Sequence, residues 1–447
     1  MSGNSVFIGL FIHSNSRLNF CIFNGYMWIK DGKITKRGST EEFHNLDNSG
    51  LFADAKIIRL STSQLIIPGF VDCHVHAPQF PNIGLGLDLP LLEWLDKYTF
   101  PLEKQYSDVE FAAKVYDQVV QRLLKNGTTT ACYFGSLHLE GTLELAKSAI
   151  KYHQRALVGK VSMNLKNDTG YYNNADKEIA DTTEFVRKND LVQPIITPRF
   201  AISCDEQLMT NLAAISKKYG CRIQSHLCEN LKEIDYVLYL NPTCKTYAEV
   251  YDKCLLLNDK CIMAHAVHMT DEETALLASR GTAVAHCPAS NTRLKSGLCP
   301  VRKLLDNNIT VALGTDVSGG DSASILDALR RTMDVSMHLE LAGSEGYAVD
   351  WKEAFYLATK GGAKGNQLIG TFITALGLED KIGSFDVGKE FDALLIDVYA
   401  KDGPIDEYDF KLKENNEDYA TSLLQRFIYL GDDRNIQQVY VKGKRVK

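Results

Sequence analysis

The sequence predicts an α/β chain: a (β/α)8 TIM barrel over residues 68–375, and a small β-sandwich domain put together from the two ends, 1–67 and 376–447. Three observations lead there. Both ends are dense in short β-like runs while the middle is not. The middle alternates eight apolar runs with stretches of helical period, the inventory of a parallel barrel. Those runs end in histidines and carboxylates, at the rim where such a barrel gathers its chemistry. The length of 447 residues suggests about three domains, but a barrel of roughly 250 residues with an appended sheet uses the same chain.

At the N-terminal end the β-like runs are VFIGLFI, FCIFNGYMWIK, KITKRG and AKIIRLS, with Asp31-Gly32 as a hairpin turn between two of them. At the C-terminal end they are FDALLIDV (391–398) and QVYVKGKRV (438–446), with a second turn at Lys442-Gly443. Between them, PGFVDCHVHAPQF (68–80) holds the end of the first barrel strand. A capping box of Ser107 and Glu110 opens the first helix, whose apolar residues recur at Ala112, Val115, Tyr116, Val119 and Leu123, and Gly127 closes it. The next strands are 128–134, 156–163, 194–202, 221–227, 261–266, 282–287 and 309–316. Helices are expected at 143–153 and 175–187, after a Ser203/Glu206 box, and after a Thr270/Glu273 box. The stretch 230–260 is long enough to insert extra helices. Residues 401–434 read as a charged loop or partly helical excursion.

Composition excludes several classes. Hydrophobic residues make up 45% and charged residues 23%, ordinary values for a globular chain. A net charge of -7 argues against a general nucleic-acid or membrane-surface binder. The 11 cysteines are odd in number and contain no C-x-x-C pair, which fits free thiols in a reducing compartment. Residues 1–4 lack a basic region, and the apolar run 6–12 is too short to span a bilayer. A cytoplasmic protein is expected.

Alternation along a strand puts His74 and His76 on one face, close enough to grip one ion. Later strands bring Arg199, Phe200 and Ser203, then His226 and Glu229, then His265, His286 and Asp316 to the same rim. Neutral imidazole is the commonest zinc ligand, and a zinc held by imidazoles and a carboxylate lowers its water's pKa from roughly 15.7 to about 7. Imidazole also suits iron, copper and nickel, so zinc is the first choice among several. Glu229 lies three residues past His226 and can lean over an ion without ligating it. Cys228 lies between them and faces away on alternation.

These residues resemble the amidohydrolase superfamily: His-x-His on the first strand, single histidines after the fifth and sixth, an aspartate after the eighth. LLEWLDKYTFPLE (91–103), NGTTTACYFGSLH (126–138), TPRFAISC (197–204), QSHLCEN (224–230), MAHAVHM (263–269), HCPASN (286–291) and GTDVSGG (314–320) narrow the resemblance to its branch that deaminates guanine. The resemblance implies hydrolysis of guanine to xanthine and ammonia in purine catabolism, by a homodimer with one Zn2+ per subunit. It implies that His74, His76, His226 and Asp316 bind the zinc. Glu229, Asp316 and His265 would be catalytic: Asp316 as base toward the water, Glu229 as proton shuttle, His265 beside the metal. The substrate would contact His76, Gln79, Arg199, Phe200, His226, Glu229 and His265. The chain departs from the pattern at Cys73 and at Val267-His268, with His268 expected as a surface loop residue and His286 as a structural one. The set differs from zinc deaminases that pair H-x-E with P-C-x-x-C, since Cys287-Pro288 has no such partner. A barrel that kept its surface but lost its chemistry would have lost ligands, and none is missing here.

Overall fold

The structure, a computed structural model, describes residues 4–188, 192–344, 346–361, 375–408 and 416–447. At the N-terminus, β1 (Ser5–Ser16), β2 (Asn19–Lys30) and β3 (Lys33–Gly38) form an antiparallel meander. The Asp31-Gly32 turn between β2 and β3 has φ of 52° and 79°, the left-handed pair that a two-residue hairpin requires. Helix α1 (Thr40–Asn48) leads to β4 (Lys56–Arg59) and β5 (Gln64–Pro68), which pair with the two halves of β1. The C-terminal strands complete this mainly antiparallel sheet of eight strands.

β5 is buried from Leu65 to Pro68 because it has a core on each side. Ile66 joins Phe7, Phe11, Phe391 and Leu395 on one face. Leu65 and Ile67 join the barrel's outer core with Phe70 and Val119 on the other. Period-two alternation thus docks the terminal sheet directly on the barrel.

The chain crosses from sheet to barrel at Gly69. Eight parallel strands follow: β6 (Phe70–His76), β7 (Thr128–Phe134), β8 (Arg155–Gly159) continued by β9 (Val161–Ser162), β10 (Gln193–Pro198), β11 (Arg222–Leu227), β12 (Cys261–His265), β13 (Ala283–His286) and β14 (Val311–Leu313). Every residue of β6, β7 and β12 is buried, as expected of parallel strands covered on both faces. The ring is closed beyond β14, where Asp316 N donates to His74 O at 2.8 Å and His76 N to Val317 O at 3.0 Å. Leu376, Leu378 and Ile382 fill the lower interior against Val71, Leu157 and Ile262. The segment 362–374, inside the expected barrel span, lies outside the described residues.

Helices α2 (Leu91–Trp94) and α3 (Phe100–Glu103), α4 (Val109–Lys125), α5 (Leu139–Lys151), α6 (Ala175–Lys188), α7 (Glu206–Tyr219), α8 (Leu231–Leu240), α9 (Tyr247–Lys253), α10 (Asp271–Arg280), α11 (Pro288–Arg293), α12 (Val301–Asp306), α13 (Ile325–Leu341) and α14 (Trp351–Tyr356) connect the strands. Two expected caps are displaced. Asp108, not Ser107, accepts from Glu110 N and Phe111 N, and Asp205, not Ser203, accepts from Leu208 N. A carboxylate one or two residues later takes the helix's free N–H groups, where its negative charge also suits the helix N-terminus. The Thr270/Glu273 box forms as expected. The expected third strand is interrupted at Lys160, whose buried ammonium reaches Glu178 at 2.6 Å, and the eighth is shorter than expected. Of the excursion over 401–434, residues 409–415 lie outside the described residues. Helix α15 (Asn416–Leu430) follows, burying Leu423, Leu424 and Phe427. β15 (Ala393–Asp397), before this excursion, and β16 (Ile436–Val441) and β17 (Lys444–Arg445), after it, finish the terminal sheet.

Candidate active site

A bulge in β6 sets up the site. Asp72 pairs with Ala131 and Val75 with Tyr133, so Cys73 and His74 together oppose the single residue between them. Bulges of this kind re-aim side chains beside functional sites. His74 and His76 keep one direction, while Asp72 accepts from His74 N at 3.2 Å, Thr315 N at 3.1 Å and Thr315 Oγ1 at 2.5 Å. Asp72 therefore ties the first strand to the turn that carries Asp316. Burial pushes its carboxyl up to about 6, against those three hydrogen bonds.

His74 Nε2 lies 3.3 Å and His76 Nε2 3.6 Å from Asp316 Oδ1. His76 Nε2 lies 3.0 Å from His226 Nε2. His226 donates from Nδ1 to Arg199 O at 2.6 Å, which leaves Nε2 as a bare lone pair aimed at the cluster. Burial holds His74 below the ordinary histidine value and His76 and His226 well below it, so the rings are neutral. Burial alone would raise Asp316, but the His74 ring, His265 and Ser290 outweigh it and keep the carboxylate low. Imidazoles facing one another beside a carboxylate crowd ring nitrogens and carboxylate oxygens into one space; a divalent cation would satisfy them together. Ligand atoms within 4.8 Å of one another make two overlapping groups, His74–His76–His226 and His74–His265–Asp316. The residues fit a metal ion.

His265 ends β12 with φ of 75°. It bonds Asn291 Oδ1 through Nδ1 at 2.8 Å, turning Nε2 toward Glu229 Oε2 at 3.4 Å and Asp316 Oδ2 at 3.8 Å. Glu229 is buried and accepts from Ser296 Oγ at 3.1 Å. Burial, reinforced by the Asp316 charge, pushes it up to about 8. The loop bearing it is braced by Glu233, whose Oε2 accepts from Glu229 N and Asn230 N at 3.1 and 3.2 Å.

The opposite wall holds Gln79, Arg199 and Phe200. With Leu91, Trp94, Leu95, Leu294 and Gly319 they close a cavity of about 30 Å³ over the histidines, room for about one water molecule. Arg199 NH1 and NH2 donate to Glu103 Oε2 and Oε1 at 2.7 and 3.1 Å, and Gln79 Nε2 donates to the same Oε1 at 3.0 Å. The structure thus brings His74, His76, Gln79, Arg199, Phe200, His226, Glu229, His265 and Asp316 to one place. His286 is fully buried with neither ring nitrogen hydrogen-bonded, and does not line the cavity. Cys228 points to Glu273, away from the cluster. His268 lies half-buried in the turn after β12, as a loop residue, and its Nε2 meets Ser296 O at 2.5 Å, on the segment that holds Glu229.

The reading of the sequence missed Glu103, Asn291, Ser296 and Asp72. Glu103 left one signal: an acid closing the apolar run YTFPL. Asn291 and Ser296 left none beyond lying near His286.

A parallel barrel with this ligand cluster at its strand ends defines a class of hydrolase. The chain belongs to the Amidohydrolase family, whose model matches residues 65–446. Within it the chain is similar to guanine deaminases along its whole length. It is 44% identical to the guanine deaminase of Mus musculus, over 99% of this chain and 96% of that one. It is 34% identical to the enzyme of Escherichia coli, over 95% and 93%. The crystal structure of the C. acetobutylicum guanine deaminase, with guanine bound in its active site, superposes with a TM-score of 0.86 at 37% identity, covering 99% of both chains.

Proposed function

We propose that this chain is a hydrolase that deaminates guanine to xanthine and ammonia, in purine catabolism. One observation carries the reading. The imidazole–carboxylate cluster with Glu229 and the donor-rich wall of Gln79 and Arg199 face each other across one cavity, in a chain that matches guanine deaminases end to end.

His74, His76, His226 and Asp316 are the residues that would hold zinc, the ion that three neutral imidazoles and a carboxylate suit best. The chemistry such an ion supplies is Lewis acidity, enough to make water nucleophilic at neutral pH. Asp316 takes a proton from the attacking water as its oxygen adds to the amine-bearing ring carbon. Glu229, entering with a proton, gives it to the neighbouring ring nitrogen, takes the water's proton over from Asp316 and passes it to the amine, and recovers the hydroxyl's remaining proton as the carbonyl forms. The C–N bond breaks, ammonia leaves, and the carbonyl of xanthine remains. His265, held by Asn291, steadies the oxygen on the tetrahedral carbon. Gln79 and Arg199 hold the ring edge, Phe200 offers a packing face, and His76 and His226 border the reacting end.

A cytoplasmic homodimer is the state we assign. All eleven cysteines are free thiols, which supports a reducing compartment. Among the described residues no helix is long and apolar enough to cross a membrane. Light scattering of the purified protein tests the dimer.

The test of the activity is metal analysis of purified protein with ammonia release measured on guanine, adenine, cytosine and a triazine. Zinc near one per chain and a preference for guanine are expected. Zinc-loaded protein that prefers another ring, or releases no ammonia from guanine, refutes the reading.

A further inference from the structure

Glu103 is a fully buried carboxylate that none of the chemistry above uses. It sits at the end of α3, one turn after Phe100. That single turn clamps Arg199 from two directions. Phe100 lies under the guanidinium, 5.0 Å from its carbon to the ring centroid. Glu103 takes both terminal nitrogens. Two of the guanidinium's five N–H groups are spent there, and the others remain donors. The pairing balances the positive charge of Arg199 beside the cavity.

Glu103 also decides how Gln79 is turned. An ionised carboxylate only accepts, so the side-chain group that Gln79 shows it must be the NH2. The Gln79 oxygen is then directed to Ser318 N, at 3.3 Å. Both ends of the amide are engaged: its second N–H stays a donor for the cavity, while its oxygen is drawn toward Ser318 N and has one of its two lone pairs used there. A free glutamine amide reads an amino group and a ring nitrogen together, as it does on adenine; an array of donors reads a carbonyl oxygen and a ring nitrogen, as arginine does on guanine.

We propose that Glu103 is the specificity-determining positioning residue of this site: by fixing Arg199 and the orientation of the Gln79 amide, it makes the ring-binding wall donor-rich, so that an oxo-bearing purine edge is preferred over an amino-bearing one. The inference rests on the proposed deamination of guanine. It adds a preference for what the far edge of the ring carries.

The test compares guanine with 2,6-diaminopurine, which keeps the amine that is lost and replaces the carbonyl by a second amine. The zinc-loaded wild-type enzyme and its Glu103→Gln variant are assayed on both, with kcat and KM taken separately. In the variant the amide at 103 can donate as well as accept, so it no longer dictates which end of the Gln79 amide faces it, and its hold on the Arg199 guanidinium is weaker. The ratio of kcat/KM for guanine to that for 2,6-diaminopurine is expected to fall by about tenfold or more, mostly through KM for guanine. Glu103→Asp, which keeps the charge but is too short to reach both partners, provides the second variant if the first does not fold; its ratio falls in the same direction. Equal losses on both substrates, or a ratio unchanged in a folded variant, would show that Glu103 only supports Arg199 structurally and overturn the proposal. A wild-type enzyme inactive on guanine would instead remove the functional reading itself, so the two failures are separable.

Discussion

The two walls of the cavity are stabilised in opposite ways. On the catalytic wall, His74 Nε2 is buried with no hydrogen-bond partner, and His76 Nε2, His226 Nε2 and Asp316 Oδ1 crowd into the same space. On the ring-binding wall, Glu103, Arg199 and Gln79 use one another's donors and acceptors. The first wall is incomplete without a guest. The second is complete before the substrate arrives, so little order has to be imposed on it at binding. Metal should therefore govern the stability of one wall and not the other.

The largest effect expected is at the catalytic wall. His226→Ala or Asp316→Asn should reduce bound metal and bring ammonia release to background. In the wild type, the thermal midpoint should rise with added zinc because the ion binds the folded state. Glu103→Gln should keep the metal response that His226→Ala loses. Full metal content in His226→Ala, measured by elemental analysis, would break the contrast between the walls.

Next is Glu229→Gln, which leaves the proposed ligands intact while removing the proton carrier. A fall in kcat of about 10²–10⁴-fold is expected, with metal content unchanged. A normal kcat would mean that the proton travels by another residue.

Smaller again is Asn291→Ala. It removes the acceptor that orients His265 without touching the proposed ligands or the ring wall. A drop in kcat on the order of tenfold is expected, with KM for guanine little changed. If KM moves and kcat does not, His265 belongs with the ring-binding residues.

The contrast between the walls also explains what the sequence could show. Strand ends are marked by short apolar runs, so His74, His76, His226, His265 and Asp316 were readable as rim residues. Their chemistry is local to each run. Glu103 holds residues 24 and 96 positions away in the chain, and a contact of that kind has no periodicity. The bulge at Cys73–His74 was equally hidden. Strict alternation from His76 would place Asp72 among the ligands, whereas the extra residue gives it to Thr315 instead. The capping errors have the same origin at a smaller scale: Ser107 and Ser203 satisfy the motif, but Asp108 and Asp205 take the helix N–H groups, where their negative charge also suits the helix N-terminus.

The smallest effect concerns how the walls are brought together. Leu91, Trp94, Leu95 and Leu294 form the apolar cover of the cavity that guanine has to pass. Trp94 is pinned in the closed position by its indole N–H, which donates to Leu85 O at 2.9 Å. Trp94→Phe keeps the ring but removes this tie, worth about 1 kcal/mol. That loosens the closed form without altering either set of polar contacts. KM for guanine should rise by no more than about fivefold, the factor that this energy corresponds to, while kcat holds or increases if opening limits product release. A kcat that falls in step with the rise in KM would place Trp94 against the reacting atoms and end its role as a door between the two walls.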